Sequence, residues 1–312
     1  MVNEQQAWRA HPKGAIFSSW AAPDGMALRR MDWSASGRRK GRGSLLFVNG
    51  RGDFIEKYLE TYAHFQALGW DVTTFDWRGQ GGSRGPGEEK AWQGFDILVD
   101  DLEALVADWR AAGPGPHVAL GHSMGGHLLL RTIIDRKPAL DAAILTAPML
   151  DVNSKPIPIS IAPDIADTMY WLGLGRMPIW KTPPSMLEPG GRRNRNLTAS
   201  PDRYEDELYW WGVEPNYNLG PPSFGWMRAA FRSRAAAFTP EKLGAVDLHI
   251  LIVAAEQDRL VSAAAIREAA ALLPRAELEM MPDARHEILR DADEVRNRAL
   301  ARIDAFLAGL KA

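Results

Sequence analysis

The 312-residue chain contains no cysteine. That excludes a disulfide, a thiolate nucleophile and any cysteine-ligated zinc or iron–sulfur site. Long apolar runs are missing too: no stretch of about 18 uncharged apolar residues occurs, so none can span a bilayer as a helix and any membrane contact must be peripheral. A surplus of positive charge is also missing. With a formal net charge of -2 and no long Lys/Arg block, nothing is available to follow a phosphate backbone, and no nucleic-acid partner is expected. The start, Met1-Val2-Asn3-Glu4-Gln5-Gln6, lacks the basic region and apolar stretch of a secretory signal, so the expected location is the cytoplasm. Neither His-x-x-x-His nor His-Glu-x-x-His occurs, and no metal is expected. No feature points to a protein partner.

What is present suits a folded α/β protein. Hydrophobic residues make up 46% and charged residues 24% of the chain, ordinary globular usage that permits a sizeable core. At this length one core carrying an insertion is expected. Phe17–Trp20 and Met26–Trp33 alternate around Pro23-Asp24-Gly25 and predict an opening hairpin. After the linker Gly37–Gly43, the apolar run Leu45-Leu46-Phe47-Val48 reads as a buried strand ending at Asn49-Gly50. Helical spacing from Phe54 to Leu68, a strand at Val72–Phe75 and a helix carrying Ile97, Leu98, Leu102, Leu105, Val106 and Trp109 follow. Val118–Leu120, a helix through Leu128–Ile134 and Ala142–Leu145 continue the alternation, which predicts a mostly parallel central sheet flanked by helices. The rhythm breaks after Pro148. Residues 151–233 hold 11 of the 21 prolines and five of the 12 tryptophans, which marks an insertion. Leu248–Val253, Ala263–Leu273, Leu278–Met281 and Asp291–Leu310 then resume as strand, helix, strand and closing helix.

Gly121-His122-Ser123-Met124-Gly125 lies between a strand and a helix. A sharp strand-to-helix turn that exposes a nucleophilic serine leaves no room for side chains at the flanking positions, which Gly121 and Gly125 satisfy. The hydroxyl is a weak nucleophile at neutral pH and needs a histidine base oriented by a carboxylate. Asp258 and His286 each follow a predicted strand, where open α/β sheets place their chemistry. The chain order Ser123, Asp258, His286 is that of the α/β hydrolases. Glu256 is the competing acid; Asp283 and Glu287 read as surface charges, and His122 and His127 as packing beside the turn. The amides of Met124 and Arg51, the latter in Asn49-Gly50-Arg51-Gly52, are the expected oxyanion donors. An apparent pKa near 7 is expected for the base, about that of an ordinary histidine. The loop Gly79–Gly85 lacks the Gly-Lys-Ser/Thr ending of a phosphate loop and reads as structural.

Four segments together resemble the lysophospholipase and monoacylglycerol lipase branch of the α/β hydrolases. They are Phe75-Asp76-Trp77-Arg78-Gly79-Gln80-Gly81-Gly82-Ser83, Gly121-His122-Ser123-Met124-Gly125-Gly126, Asp258-Arg259-Leu260-Val261 and Ala284-Arg285-His286-Glu287. Asn49-Gly50-Arg51 is similar to the Pro-Gly-Arg of bacterial L2-type lysophospholipases and departs from the His-Gly of typical monoacylglycerol lipases. The resemblance implies an α/β-hydrolase fold with its core in residues 1–150 and 236–312 and a cap over the active site at 151–235. It implies hydrolysis of single-chain lipid esters through an acyl-enzyme, without a cofactor. A monoacylglycerol lipase, a general carboxylesterase, a lactonase or perhydrolase, and a non-catalytic binding protein on the same scaffold remain open. Trp171, Trp180, Trp210, Trp211 and Met227 are the expected wall of an apolar acyl channel, and the cap the expected site of any contact with the inner membrane face. Arg192-Arg193-Asn194-Arg195 reads as a solvated loop, with an anionic head group as the alternative partner.

Overall fold

A computed structural model describes residues 7–35, 41–92, 94–154 and 156–310; the first part of the expected linker, 37–40, lies outside them. Strands β1 (Ile16–Ala21) and β2 (Ala27–Trp33) pair antiparallel about Gly25, whose φ of +84° is the left-handed conformation such a turn requires. Strand β3 (Gly43–Val48) is buried along its whole length. A 3-10 turn, Ile55–Tyr58, leads into α1 (Leu59–Ala67), so the helix expected from Phe54 starts with a tighter turn. Strand β4 (Trp70–Phe75), α2 (Asp96–Ala112), β5 (His117–His122), α3 (Met124–Arg136) and β6 (Ala142–Thr146) continue the alternation. The sheet order is β1-β2-β4-β3-β5-β6 and then the last two strands of the chain; β2 runs antiparallel to β4, and from β4 onward every pairing is parallel.

The segment after β6 is helical: α4 (Ala162–Met169) runs on as a wider turn to Leu174, and α5 (Pro184–Leu187), α6 (Arg192–Leu197), α7 (Pro201–Val213) and α8 (Phe224–Ala237) follow. Its prolines suit helix starts, where the missing N–H costs nothing, as at Pro184 and Pro201. Ser200 caps α7 by accepting from Arg203 N, and Ser223 caps α8 by accepting from Trp226 N. Then α9 (Pro240–Gly244), β7 (Ile250–Ala255), α10 (Ala263–Leu272), β8 (Ala276–Met281) and α11 (Asp293–Ala308) complete the chain.

Why β3 reads as an unbroken apolar run is plain from its two faces. Leu46 and Val48 pack with Leu98, Leu102 and Leu128 on one side; Leu45 and Phe47 pack with Tyr58, Tyr62 and Leu300 on the other. Each such fully buried side chain contributes about 1.5–3 kcal/mol by leaving water. β3 and β5 are adjacent, with Val48 opposite Gly121, so the loop after β3 and the turn after β5 emerge side by side. The carboxyl ends of the parallel strands therefore bring together the segments that the sequence marks for chemistry.

Candidate active site

Ser123 sits at φ +51° and ψ -116°, between β5 and α3. A Cβ on Gly121 would lie 2.8 Å from Gly125 O, and one on Gly125 2.2 Å from Val48 O, so neither flanking position admits a side chain. The strained turn is tied down on both sides: Ser123 N donates to Thr146 O at 3.0 Å, and Ser123 O accepts from His127 N and Met149 N, each at 3.0 Å. His286 Nε2 is 2.9 Å from Ser123 Oγ, and His286 Nδ1 is 2.7 Å from Asp258 Oδ2. Asp258 Oδ1 accepts from Leu260 N at 2.7 Å and Val261 N at 3.0 Å. Glu256, the competing acid, lies exposed and pairs with Arg267.

Burial alone would push the His286 pKa down; the charge and hydrogen bond of Asp258, with the charges of Glu287 and Asp53, outweigh it and hold the imidazole above its ordinary value of 6.5. Burial pushes Asp258 the other way, upward, and is outweighed by His286 and the two backbone N–H groups, which keep the carboxyl below 3.8. A base works only when neutral, so a raised pKa moves the acid limb of the rate profile to higher pH. The kcat/KM for an ester should fall as pH drops through a midpoint above 6.5, and Asp258→Asn should move that midpoint down. A flat profile from about pH 5 to 9 would remove histidine as the base.

Asn49 holds the loop after β3: its Nδ2 donates to Phe75 O at 2.8 Å, and Trp77 Nε1 donates to Asn49 O at 2.6 Å. Within that loop Gly50 N donates to Asp53 Oδ2 at 2.8 Å, and Gly52 N donates to Gln80 Oε1. Between these two satisfied amides, Arg51 N meets no acceptor among the described residues, and neither does Met124 N at the start of α3. A Cβ on Gly50 would stand 3.2 Å from Ser123 Cβ, which sets the loop directly beside the hydroxyl-bearing turn. Two free amides flanking a serine are the donor arrangement that an oxyanion needs.

A family profile described as Hydrolase_4, serine aminopeptidase S33, matches residues 39–293. The chain belongs to this serine hydrolase family. Among curated proteins the hydrolase is 27% identical over 270 residues to a probable lysophospholipase L2 of Haemophilus influenzae, covering 84% of this chain and 83% of that protein. It is 28% identical over 280 residues to lysophospholipase L2 of Escherichia coli, covering 82% and 78%. A soluble variant of monoglyceride lipase from Saccharomyces cerevisiae, solved with a substrate analog, superposes with a TM-score of 0.76 at 20% identity, covering 97% of each chain. The fold is the α/β-hydrolase fold, and the hydrolase is a carboxylic ester hydrolase.

Several charges sit otherwise than the sequence suggested. Glu287, expected at the surface, is buried in a cluster with Asp53, Lys57, Glu207 and Arg290, and half-buried Arg193 closes its edge. Lys57 Nζ lies 2.7 Å from Asp53, 2.6 Å from Glu287 and 3.2 Å from Glu207. Arg193 holds Glu207 with two bonds of 2.6 and 3.1 Å, and Arg290 pairs with Glu287. Arg193 thus belongs to helix α6 and an ion pair, not to a solvated loop. The cluster joins the loop after β3, the histidine loop and helices α6 and α7. Spacing signals for parts of it existed, Asp53 to Lys57 at i,i+4 and Glu287 to Arg290 at i,i+3. Asp283 is an exposed partner of Arg298, as expected.

His122 and His127 are buried beside the turn, and burial pushes both down to about 4, so they are neutral near pH 7. His127 bridges Met149 O and Ser233 Oγ, each at 2.7 Å. The Gly79–Gly85 loop wraps Asp76, whose carboxylate accepts from Ile55 N and Gly82 N at 2.8 Å each. Of the expected channel wall, Trp210 is corrected: it is buried, stacks on His11 at 5.6 Å and donates to Trp8 O, so its surface is spent on the N-terminal segment. Trp211 lies half-buried under Arg193, 4.8 Å from the ring, and Met227 packs with Ala162, Ala166 and Phe231. Trp171 and Trp180 are 75% and 50% exposed, which places them on an outer surface. A polar cleft of about 390 Å³ beside Asp258 is lined by Asn153, Arg192, Asn196, Gln257 and Arg259. Among the described residues no group of His, Asp and Glu suits a metal, and no helix is long and apolar enough to cross a membrane.

Proposed function

We propose that the hydrolase cleaves the carboxylic ester of single-chain lipids, lysophospholipids foremost, through an acyl-enzyme. The observation that carries this is the hydrogen-bonded series Ser123, His286, Asp258 beside the unoccupied amides of Arg51 and Met124. Ser123 Oγ attacks the ester carbonyl while His286 Nε2 takes its proton and Asp258 accepts from Nδ1–H. The Arg51 and Met124 amides receive the oxyanion. Collapse expels the alcohol, protonated by His286, and water then enters by the same route in reverse, releasing the fatty acid and free Ser123. The L2-type relatives support the lysophospholipid assignment by name.

Residues 151–235 act in this reading as the cap, and their outer surface meets the lipid phase. Ile157, Ile161, Ile165, Trp171, Leu172 and Trp180 are all exposed there, a concentration of apolar surface that water disfavours and an acyl-chain interface accepts. A panel of esters with one acyl chain, as lysophosphatidylcholine, monoacylglycerol and p-nitrophenyl ester, tests the assignment, with Ser123→Ala as the blank. Lysophosphatidylcholine should give the highest kcat/KM, and a preference for monoacylglycerol would move the enzyme to the lipase class. On vesicle-borne substrate Trp171→Ser/Trp180→Ser should lower the rate severalfold and leave the monomeric p-nitrophenyl ester rate unchanged. An equal loss on both would put the two tryptophans in the fold instead of at a membrane.

A further inference from the structure

Arginine in this protein is usually paired when it is covered. Arg78 is held by Asp101 and Asp24, Arg29 by Glu56 and Asp76, and Arg203 by Glu60. Arg51 is the contrast. Its side chain is half-buried, its Nε is closed off from solvent without a hydrogen-bond partner, and no carboxylate among the described residues lies within ion-pair distance. Burial alone, with no offsetting charge, pushes its pKa down to about 9.

The guanidinium is nevertheless positioned. Arg51 Nη1 donates to Gly220 O at 3.0 Å, and the Cζ lies 5.2 Å from the centroid of Trp226, a cation–π contact that fixes the plane without supplying negative charge. Nη2 has no protein acceptor among the described residues. An oriented cation without a counter-ion in a partly desolvated place is an incomplete ion pair: an anion with two acceptor oxygens would complete it through charge-assisted bonds. Its location identifies the anion. Arg51 follows Gly50, which abuts Ser123, and its own amide is one of the two free donors. An ester whose carbonyl sat on that amide would be held by the same residue that carries the unpaired guanidinium.

We propose that the Arg51 guanidinium is the head-group site, taking the phosphate diester of a lysophospholipid whose acyl ester lies at Ser123; this rests on the lipid-ester reading above. One residue then serves both ends of the recognition. Its amide reads the ester that every single-chain lipid carries, and its side chain reads the phosphate that a monoacylglycerol lacks.

The test compares wild type, Arg51→Met and Arg51→Lys on lysophosphatidylglycerol and monoacylglycerol of one acyl length. Loss of charge-assisted bonds should lower the ratio of kcat/KM for the phosphate-bearing to the neutral substrate about 10- to 100-fold in Arg51→Met, mainly through KM. Arg51→Lys, which keeps charge without the fork, should fall between, and it serves as the second variant if Arg51→Met folds poorly. An unchanged ratio in both variants overturns the proposal. A second readout needs no turnover: sn-glycero-3-phosphoglycerol should slow fluorophosphonate labelling of Ser123 in wild type and not in Arg51→Met. Equal slowing in both, or stronger slowing by inorganic phosphate than by the glycerol diester, overturns the head-group assignment. If neither lipid is hydrolysed while Ser123 still labels, the lipid-ester reading fails, and the protection measurement still decides what Arg51 binds.

Discussion

Ser123→Ala is expected to lower kcat on a single-chain lipid ester by about a million-fold while the protein stays folded, the scale found when a triad nucleophile is removed. The loss is large because the remaining groups act only through the serine. With Oγ gone, His286 has no proton to accept, and the Asp258 contact at 2.7 Å orients a base with nothing to activate. On the proposed mechanism, substrate binding and the pull of the Arg51 and Met124 amides on the carbonyl should survive and leave about 10³- to 10⁴-fold over water. The fold should be spared. Alanine keeps the β-carbon, and the bonds that fix the turn, Ser123 N to Thr146 O and His127 N to Ser123 O, belong to the backbone. Melting temperatures within a few degrees of wild type and complete loss of fluorophosphonate labelling would accompany the kinetic loss. A folded variant that kept more than about a thousandth of wild-type kcat would remove Ser123 from the nucleophile's role.

The turn around Ser123 was legible because its constraints are local. A side chain at position 125 would meet the Val48 carbonyl at 2.2 Å, so glycine is imposed by sterics that leave a mark in the sequence. The central strands were legible for a similar reason: β3 is covered on both faces, and its apolar run reports that directly. Asp258 could be placed because it follows such a run, β7, and His286 because it follows the partly buried strand β8. Glu287 could not. Its burial depends on Lys57, 230 positions away, and a charged residue in a loop carries no local sign of a distant partner. Lys57 itself lay in a stretch of helical spacing, where a charge normally faces water. Trp210 failed for the same physical reason, since the segment that buries it, around Trp8 and His11, is about 200 residues away. The helices of 151–235 carry local signs: Ser200 just before Pro201 and Ser223 just after Pro222 are start signals that the absence of regular alternation obscured.

Lys57→Met should destabilise the hydrolase by about 3–5 kcal/mol, the cost of leaving a buried charge cluster without one partner. The cluster as it stands sets three cations, Lys57, Arg193 and Arg290, against three carboxylates, Asp53, Glu207 and Glu287. Burial alone would lower the Lys57 pKa; the three surrounding carboxylates raise it instead, and the carboxylates are in turn held below their ordinary values. Removing the ammonium leaves three anions facing two cations. Folding must then protonate a carboxyl or bear unscreened repulsion, and either course costs stability near pH 7. The sign follows from the directions: carboxylates with lowered folded pKa stabilise the protein above their unfolded pKa values and cease to do so as pH falls through the folded ones. Without Lys57 those folded values rise, so the deficit should shrink in acid. Lys57→Met/Glu287→Gln restores a balance of two against two and should recover part of the loss. Urea unfolding at pH 7 and pH 5 measures each term through the shift in midpoint. The consequences should reach catalysis as well, because Asp53 is both a partner of Lys57 and the acceptor for Gly50 N–H, which fixes the peptide next to the Arg51 amide. A folded Lys57→Met protein is therefore expected to lose kcat more than KM. A single variant as stable as wild type at pH 7 would mean that the cluster tolerates the missing charge, and that the helices α6 and α7 are not anchored to the catalytic loops through it.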